Sequence, residues 1–467
     1  MIPARLSPLL SDGSAVRRLG ERFGEAGRQL FLVGGSVRDA FLDVSTKDLD
    51  FATDARPPET IELLSGWADG VFRVGEAFGT IGANIGGEVC EITTFRSDVY
   101  REDSRKPVVS FSDDIDTDLS RRDFTINAMA IRLTGPEAPE MVDPHGGLAD
   151  LAGRVLRTPV DPEVSFGDDP LRMLRLYRFV STLGFDPDPD TAAAAARMRH
   201  RLGIMSAERI RDELDKLLVG DHVAAGLWGL VRSRLADEFL PELPALELEQ
   251  DPVHHHKDVL AHTIAVVAKT SPDRALRLAA LFHDMGKPAT REFGPEGVTF
   301  HHHEVVGARM ARQRMRTLRY SKETIKDVSQ LVYLHMRPHT YKMGWTDSAV
   351  RRYVRDAGPL LVKLNELVRC DVTTRNQKRA NAITRRIDEL EERIAVLRKQ
   401  EELDALRPPI DGNDVMRHLG LQPGPSVGRA MKMLLEHRIE HGPYEPQEAY
   451  RLLDEWWEQQ SRGEGAE

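Results

Sequence analysis

Cysteine is nearly absent: only Cys90 and Cys370 occur among 467 residues. Two thiols so far apart exclude a disulfide framework and a thiolate zinc site, and they fit a reducing cytoplasm. Long apolar runs are missing as well. No stretch is long enough to span a bilayer, and the opening MIPARLSPLLSDG lacks the sustained apolar core of a targeting segment. Positive charge is not in excess either; 64 Lys and Arg against 74 Asp and Glu leave a formal charge of -10. That excludes a chain coated in positive charge but not a nucleic-acid partner, because phosphate contact depends on clustering. Arginines do cluster at 172–211 and 369–398, although solvated helix faces are the simpler account of both. No internal repeat is visible.

What is present begins with length. A chain of 467 residues exceeds one compact core, so about three or more domains are expected. The stretch FLVGGSVRDAFLDVSTKDLDFA, 31–52, organises the first of them. It reads as a short buried strand, a turn at Gly34 and Gly35, Ser36 as helix N-cap, a short amphipathic helix and a second strand, Asp48-Leu49-Asp50-Phe51. Alternation puts Asp48 and Asp50 on one face and Leu49 and Phe51 on the other. Paired carboxylates repel unless a divalent ion sits between them, and glycines before a helix leave backbone donors free for phosphate. Either half alone is equally an ordinary turn or a solvated strand end. A dinucleotide fold is disfavoured, since the third glycine is missing and the aspartates come too soon for a ribose-binding acid.

Strands are expected from Val71 to Arg96, with Glu91 sharing a face with Val89 and Thr93 as a third acid on a neighbouring strand. Ser97 to Leu119 is polar, aperiodic and long for a connection, as a mobile functional loop would be. SRRDFTINAMAIRL then enters an apolar strand or helix, and after Asp161 the chain turns helical. The helix from Pro170 to Leu183 carries Asp169, Arg172, Arg175 and Arg178 at intervals of three, a row that repels itself unless carboxylates, phosphates or bases face it. An alanine-rich helix is expected over Thr191 to Arg201, and Ser206 is placed to cap the next one. Ten of sixteen histidines fall between His254 and His339. A long charged helix runs from Arg375 to Leu406 and ends at Pro408-Pro409; a small helical unit follows, with a turn at Pro423 to Gly428, a Trp456-Trp457 pair and a disordered end, SRGEGAE.

The motifs GGSVRD, DLDF, EITTFR, RRDFTINAMA, DPHGGLADLAGRVLR, DDPLRMLRLYRF and ERIRDEL, taken in that order over Phe31 to Leu218, resemble the head and neck of class II tRNA nucleotidyltransferases, the CCA-adding enzymes, and their sister bacterial poly(A) polymerases. The resemblance implies an α+β architecture: a polymerase-β-like head on a mixed sheet (1–155), a helical neck that reads bases (156–225), a helical body (226–375) and a tRNA-binding helical tail (376–467). It implies that Asp48 and Asp50 hold magnesium with Glu91 as third acid, that Gly34, Gly35 and Arg38 cradle the triphosphate, and that Arg121, Arg122, Asp123 and Asn127 sense ribose and triphosphate. It assigns Asp169 and Arg172, on the face shared with Arg175 and Arg178, to reading the incoming base. Arg209 and Glu213 would support that helix. Where Asp168 stands the family usually has glutamate, a conservative departure.

The histidine-rich body is similar to an HD-type phosphohydrolase domain, through His262, His283-Asp284, His303, His335 and Asp371. Such imidazoles and carboxylates can surround one or two transition-metal ions. His254, His255, His256, His301 and His302 find no clear place. The function implied is template-independent addition of CCA to tRNA from CTP and ATP. CC-adding relatives lack the 97–119 loop that this chain has. The alternatives are a poly(A) polymerase of the same family and a metal phosphohydrolase centred on the body.

Overall fold

The computed structural model describes residues 6–44, 48–73, 75–99, 108–248, 258–294, 297–341, 344–372, 377–401 and 406–463. Two compact units result: Met1–Ala245 with Thr317–Tyr320, and Leu246–Arg316 with Ser321–Glu467.

The first unit is built on a sheet whose strands are β1 (Leu30–Val33), β2 (Asp48–Thr53), β3 (Gly70–Phe72), β4 (Thr80–Ile85) and β5 (Glu88–Thr94), with β6 (Arg96–Val99) and β7 (Val108–Phe111) apart as a hairpin, then β8 (Ala130–Arg132) and β9 (Glu140–Val142). Their order across the seven-stranded sheet is β3-β4-β5-β2-β1-β8-β9. β2 and β5 are parallel while the other pairs are antiparallel, so the sheet is mixed, as the sequence leads one to expect. All four residues of β1 are buried. Phe31, Val33, Ala52 and Phe95 pack with Ile115, Leu119, Ala128 and Ala130 into one core cluster, which makes β1 and β2 the rigid centre on which the site stands.

Two local expectations need correction. Ser36 is not the N-cap of its helix. The helix spans Gly35–Phe41 with Gly34 at the cap, because glycine at φ 71° can turn directly from strand into helix. Ser36 is buried in the first turn instead, and its hydroxyl accepts the Asp50 N–H at 3.1 Å, tying that turn to β2. The 97–119 segment is not an aperiodic loop throughout. β6 and β7 pair from Arg96↔Phe111 to Val99↔Val108, and a helix, Ile115–Ser120, follows with the Asp114 carboxylate as its cap. Strands of four residues are too short to display alternation in sequence; residues 100–107 lie outside those described.

The neck is helical as expected. Asp161 caps Pro162–Asp168, the helix Leu171–Leu183 stops at Gly184 with φ 67°, and the Ser206 hydroxyl caps Ala207–Leu218. The alanine-rich helix spans Pro189–Met198 and passes into a tighter turn.

In the second unit the helices Val259–Lys269, Arg274–Phe282, His303–Thr317, Lys322–Leu334, Asp347–Ala357 and Leu361–Cys370 precede the long helix Gln377–Glu401. That helix buries Ile387, Leu390, Ile394 and Leu397, one stripe at helical spacing. Its charges meet neighbours: Arg393 Nε donates to Asp347 at 3.0 Å, while Asp388 and Glu391 accept from Arg369 at 2.6 Å each. In the last helical unit, Gly412–Leu419, Pro425–His441 and Pro446–Gly463 enclose Val415, Ala430, Leu434, Ala449 and Leu453. The expected turn at Pro423 to Gly428 is shorter, since the helix already starts at Pro425, and helix continues through Gly463 where disorder was expected from Ser461. Among the described residues no helix is long and apolar enough to cross a membrane.

Candidate active site and metal centre

The register of the parallel strands brings the acids together. Asp48 stands opposite Val89 and Asp50 opposite Glu91; paired residues of neighbouring strands share a face, so Glu91 joins the Asp50 side of the sheet. Asp50 is half-buried and Glu91 exposed. The Asp48 side chain lies outside those described. Above them Gly34 is required by its backbone, at φ 71° and ψ -134°; a Cβ there would lie 2.8 Å from Arg122 Nη1 and 3.7 Å from Asp50 Oδ2. The glycine therefore lets a guanidinium approach the acid strand. Arg122 Nη2 donates to Asp118 at 3.0 Å, while its buried Nε has no hydrogen-bond partner among the described residues. Asp118, which nothing in the sequence analysis singled out, is fully buried and also receives Arg121 Nη2 at 2.6 Å. Burial alone would raise its carboxyl; Arg121 and Arg122 reverse this and hold it below the usual range. Its spacing of three and four residues from the two arginines on a short helix was the signal available.

A second group runs from this turn into the neck. Arg38 Nη1 donates to Asn127 Oδ1 at 2.6 Å and its Nη2 pairs with Asp39 at 2.7 Å. Asn127 Nδ2 donates to Asp123 Oδ1 at 2.9 Å. Asp123 Oδ2 accepts from Arg175 Nε at 2.8 Å and from its Nη2 at 2.5 Å. Burial pushes the Asp123 carboxyl up, but Arg175, Asn127 and Arg178 drive it far below the ordinary value. The arginine row of the neck thus finds carboxylates at two of its three positions. Arg175 Nη1 lies 3.8 Å from Glu213 Oε1, and Arg178 Nε 2.8 Å from Glu213 Oε2, without the alignment of a hydrogen bond. Burial, with Arg175 alongside, pushes Arg178 down to about 10.

Arg172 is buried at the start of the same helix. Its Nη1 donates to the Ser165 carbonyl at 3.1 Å and the Ser165 hydroxyl at 2.8 Å, and its Nη2 to the Arg121 carbonyl. Ser165 was not anticipated. Asp169 accepts the Leu171 N–H at 3.1 Å and Arg209 Nη2 at 3.0 Å, so Arg209 holds the Asp169 carboxylate.

The second unit gathers a different set. His262 lies within its helix, but His283, His335 and Asp371 sit at the C-terminal caps of theirs and His303 at the first position of its own. His262 Nε2 lies 3.2 Å from His283 Nε2, 3.3 Å from Asp284 Oδ2 and 2.9 Å from Asp371 Oδ1. His303 Nε2 lies 3.3 Å from His335 Nε2 and 3.5 Å from Asp284 Oδ1. Each of His283, His303 and His335 presents Nδ1 to the carbonyl three residues earlier, Ala280 at 2.7 Å, Phe300 at 2.9 Å and Val332 at 2.6 Å. A carbonyl there requires an N–H, which leaves Nε2 facing inward as the ligand atom.

Two groups of metal-ligating atoms follow, His262-His283-Asp284 and Asp284-His303-His335, joined by Asp284. Lys287 Nζ donates to Asp284 Oδ2 at 2.7 Å. Burial lowers both His283 and His335, yet Asp284 and Asp371 raise His283 to about 10 while His335 falls to about 3. His301 and His302 are exposed and outside these groups; His254 to His256 lie outside the described residues.

Comparison with known proteins accords with this geometry. Residues 30–157 match the poly A polymerase head domain, 184–246 a probable RNA- and SrmB-binding site of polymerase A, and 259–392 the HD domain. The A-adding tRNA nucleotidyltransferase of Deinococcus radiodurans is 33% identical over 92% of this chain and 95% of its own length. The CCA-adding enzyme of Streptococcus thermophilus is 30% identical over 92% and 93%, and the CC-adding tRNA nucleotidyltransferase of Thermus thermophilus 33% over 92% and 94%. In fold, the chain is similar to the Bacillus stearothermophilus CCA-adding enzyme in complex with CTP, with a TM-score of 0.69 at 22% identity over 99% of this chain and 100% of that one. The chain belongs to the tRNA nucleotidyltransferase family of CCA-adding enzymes, with an HD domain in its second unit.

Proposed function

We propose that the chain adds C, C and A in turn to the 3′ end of tRNA, without a template, from CTP and ATP in the cytoplasm. The observation that carries the reading is the register Asp50↔Glu91 beneath Gly34 and Arg122. An acid floor next to a glycine turn and an arginine with an unsatisfied Nε suits a triphosphate whose leaving group is pyrophosphate. The donors on that floor are oxygens, which fit magnesium, with Asp48 and Asp50 as its ligands and Glu91 as the third acid. Magnesium bound there supplies Lewis-acid activation of the RNA 3′ hydroxyl and neutralises the phosphates.

The chain's own residues orient the reaction. Gly35 offers a backbone donor, and Arg38 and Arg122 guanidinium donors, to the triphosphate; the Gly34 N–H already donates to the Met129 carbonyl at 3.4 Å. Arg121 holds Asp118, which orients Arg122 toward it. Asp169 and Arg172 present an acceptor and donors to the base edge: a carboxylate accepts from the exocyclic amine that C and A carry. The tRNA would lie along body and tail, in the four-part division at 155, 225 and 375.

The relatives named A-adding and CC-adding make staged addition the decisive experiment. Transcripts ending before CCA, after the first C and after CC are each offered labelled CTP and ATP separately. CTP entry twice, ATP entry once and a clean stop support the proposal. ATP entry only after CC would assign an A-adding enzyme, CTP entry alone a CC-adding one, and long A tails a poly(A) polymerase.

A second activity is favoured by one specific observation, the Asp284-bridged histidine set. Its mixed nitrogen and oxygen donors fit one or two transition-metal ions held by His262, His283, Asp284, Asp371, His303 and His335. Metal-dependent phosphate-ester hydrolysis is the chemistry it suits.

A further inference from the structure

The sheet face that carries the acids does not end at them. Asp50 stands opposite Glu91, Glu91 opposite Gly82, and Gly82 opposite Phe72 on the edge strand β3. Paired residues share a face, so Phe72 stands in the row of the acids, three strand spacings or about 14 Å from Asp50. Its ring packs on glycine: a Cβ at Gly82 would meet Phe72 Cβ and Cδ2 at 3.5 Å, and one at Gly70 would meet its Cζ at 3.5 Å. The side chain is nevertheless 50% exposed, and Val89, which pairs with Asp48 on the same face, is 42% exposed. A single exposed apolar residue needs no explanation. A half-exposed aromatic ring in register with the acids is a different case, because an incoming substrate must pass over this face.

Direction decides what covers the ring. The triphosphate donors Gly35, Arg38 and Arg122 gather at the turn that follows β1, on one side of β2, while β5, β4 and β3 extend on the other. In an in-line displacement the attacking hydroxyl enters opposite the leaving pyrophosphate. The RNA end therefore comes in over β5, and the nucleotides behind it run toward β3. We propose that Phe72 is a stacking platform for the RNA primer: it takes the base of the nucleotide before the last, while the terminal 3′ hydroxyl lies at the acids. At about 14 Å from Asp50 the ring lies beyond the terminal nucleotide. Every base has a π face, so an aromatic ring accepts any of them. The contact holds the primer and leaves the choice of incoming nucleotide to the neck.

The inference rests on the nucleotidyltransferase reading, and a double-mutant cycle tests it. Single-turnover ATP incorporation is measured on tRNA ending in CC, and on the same tRNA with the first C made abasic, for wild type, Phe72→Leu and Phe72→Trp. Leucine keeps an apolar cover on the glycines but has no π face. For Phe72→Leu the tRNA concentration at half-maximal rate should rise about tenfold, and that of ATP should change less than about twofold. Phe72→Trp should recover the loss. Wild type should lose about the same tenfold on the abasic tRNA, and Phe72→Leu little more, because ring and base form one contact. Losses that multiply, or a Phe72→Leu that matches wild type on intact tRNA, would overturn the platform and leave Phe72 as a cover for the glycines. If wild type incorporates nothing, the nucleotidyltransferase reading fails. Equilibrium binding of the two tRNAs to the same variants then applies the same cycle, and independent losses there overturn the platform as well.

Discussion

The two candidate metal sites are built on opposite principles. In the first unit the acids come from adjacent strands, their donors are oxygens, Asp50 is half-buried and Glu91 exposed. In the second unit most of the ligands come from helix ends, with His262 inside its helix; four of six are imidazoles, and His283, Asp284, His303 and His335 are buried. An open oxygen floor leaves room for a triphosphate and an RNA end and suits a hard ion that keeps water; a closed set of nitrogen and oxygen donors suits a softer ion held by protein. Chemistry that must admit a polymer needs the first arrangement.

The largest effect that would break this contrast concerns the metal itself. His283→Ala removes an imidazole at the centre of the set, and elemental analysis should show the bound transition metal lost while CTP incorporation stays at the wild-type rate. Metal retained at wild-type content would make the histidines a hydrogen-bonded core. A smaller effect is expected at the neck: Arg172→Ala should reduce discrimination among nucleotides by about tenfold, equivalent to about 1.4 kcal/mol, with tRNA affinity nearly unchanged in filter binding. Unaltered selectivity would remove Arg172 from the base reader.

The smallest concerns acid stability, through two buried carboxylates of the first unit. Asp118 and Asp123 are both held below the ordinary aspartate value in the folded chain. Each therefore contributes stability that is complete above about pH 4 and lost as pH falls further. Thermal unfolding followed from pH 6 to pH 3 should show a falling midpoint, and Asp118→Asn should start lower at pH 6 and fall less steeply. An equal slope in both proteins would deny Asp118 that contribution.

Much of this could be read from the residues, and the exceptions have physical causes. Asp50 and Glu91 were legible because strand alternation has a period of two and motif order supplied the pairing. The histidine set was legible as residues but not as two groups bridged by Asp284, since convergence of helix ends carries no periodic signal. Ser36 was misread because Gly34 turns straight into the helix, leaving no position for a side-chain cap. Ser165 and Asp118 escaped notice because a buried serine or aspartate acquires meaning only from the arginine that reaches it. The carboxylate partners of Arg175 and Arg178, Asp123 and Glu213, escaped notice for the same reason: they lie far along the chain. The long helix Gln377–Glu401 was legible as a charged helix, but not its pairing with Asp347 and Arg369, which lie elsewhere in the chain.

The central claim, that the acid floor of the first unit performs the transfer, is tested most directly by Asp50→Ala. Labelled CTP and ATP incorporation into tRNA lacking CCA is measured beside wild type, together with tRNA binding and transition-metal content. The account predicts no incorporation, with binding and metal content retained; incorporation at the wild-type rate would contradict it.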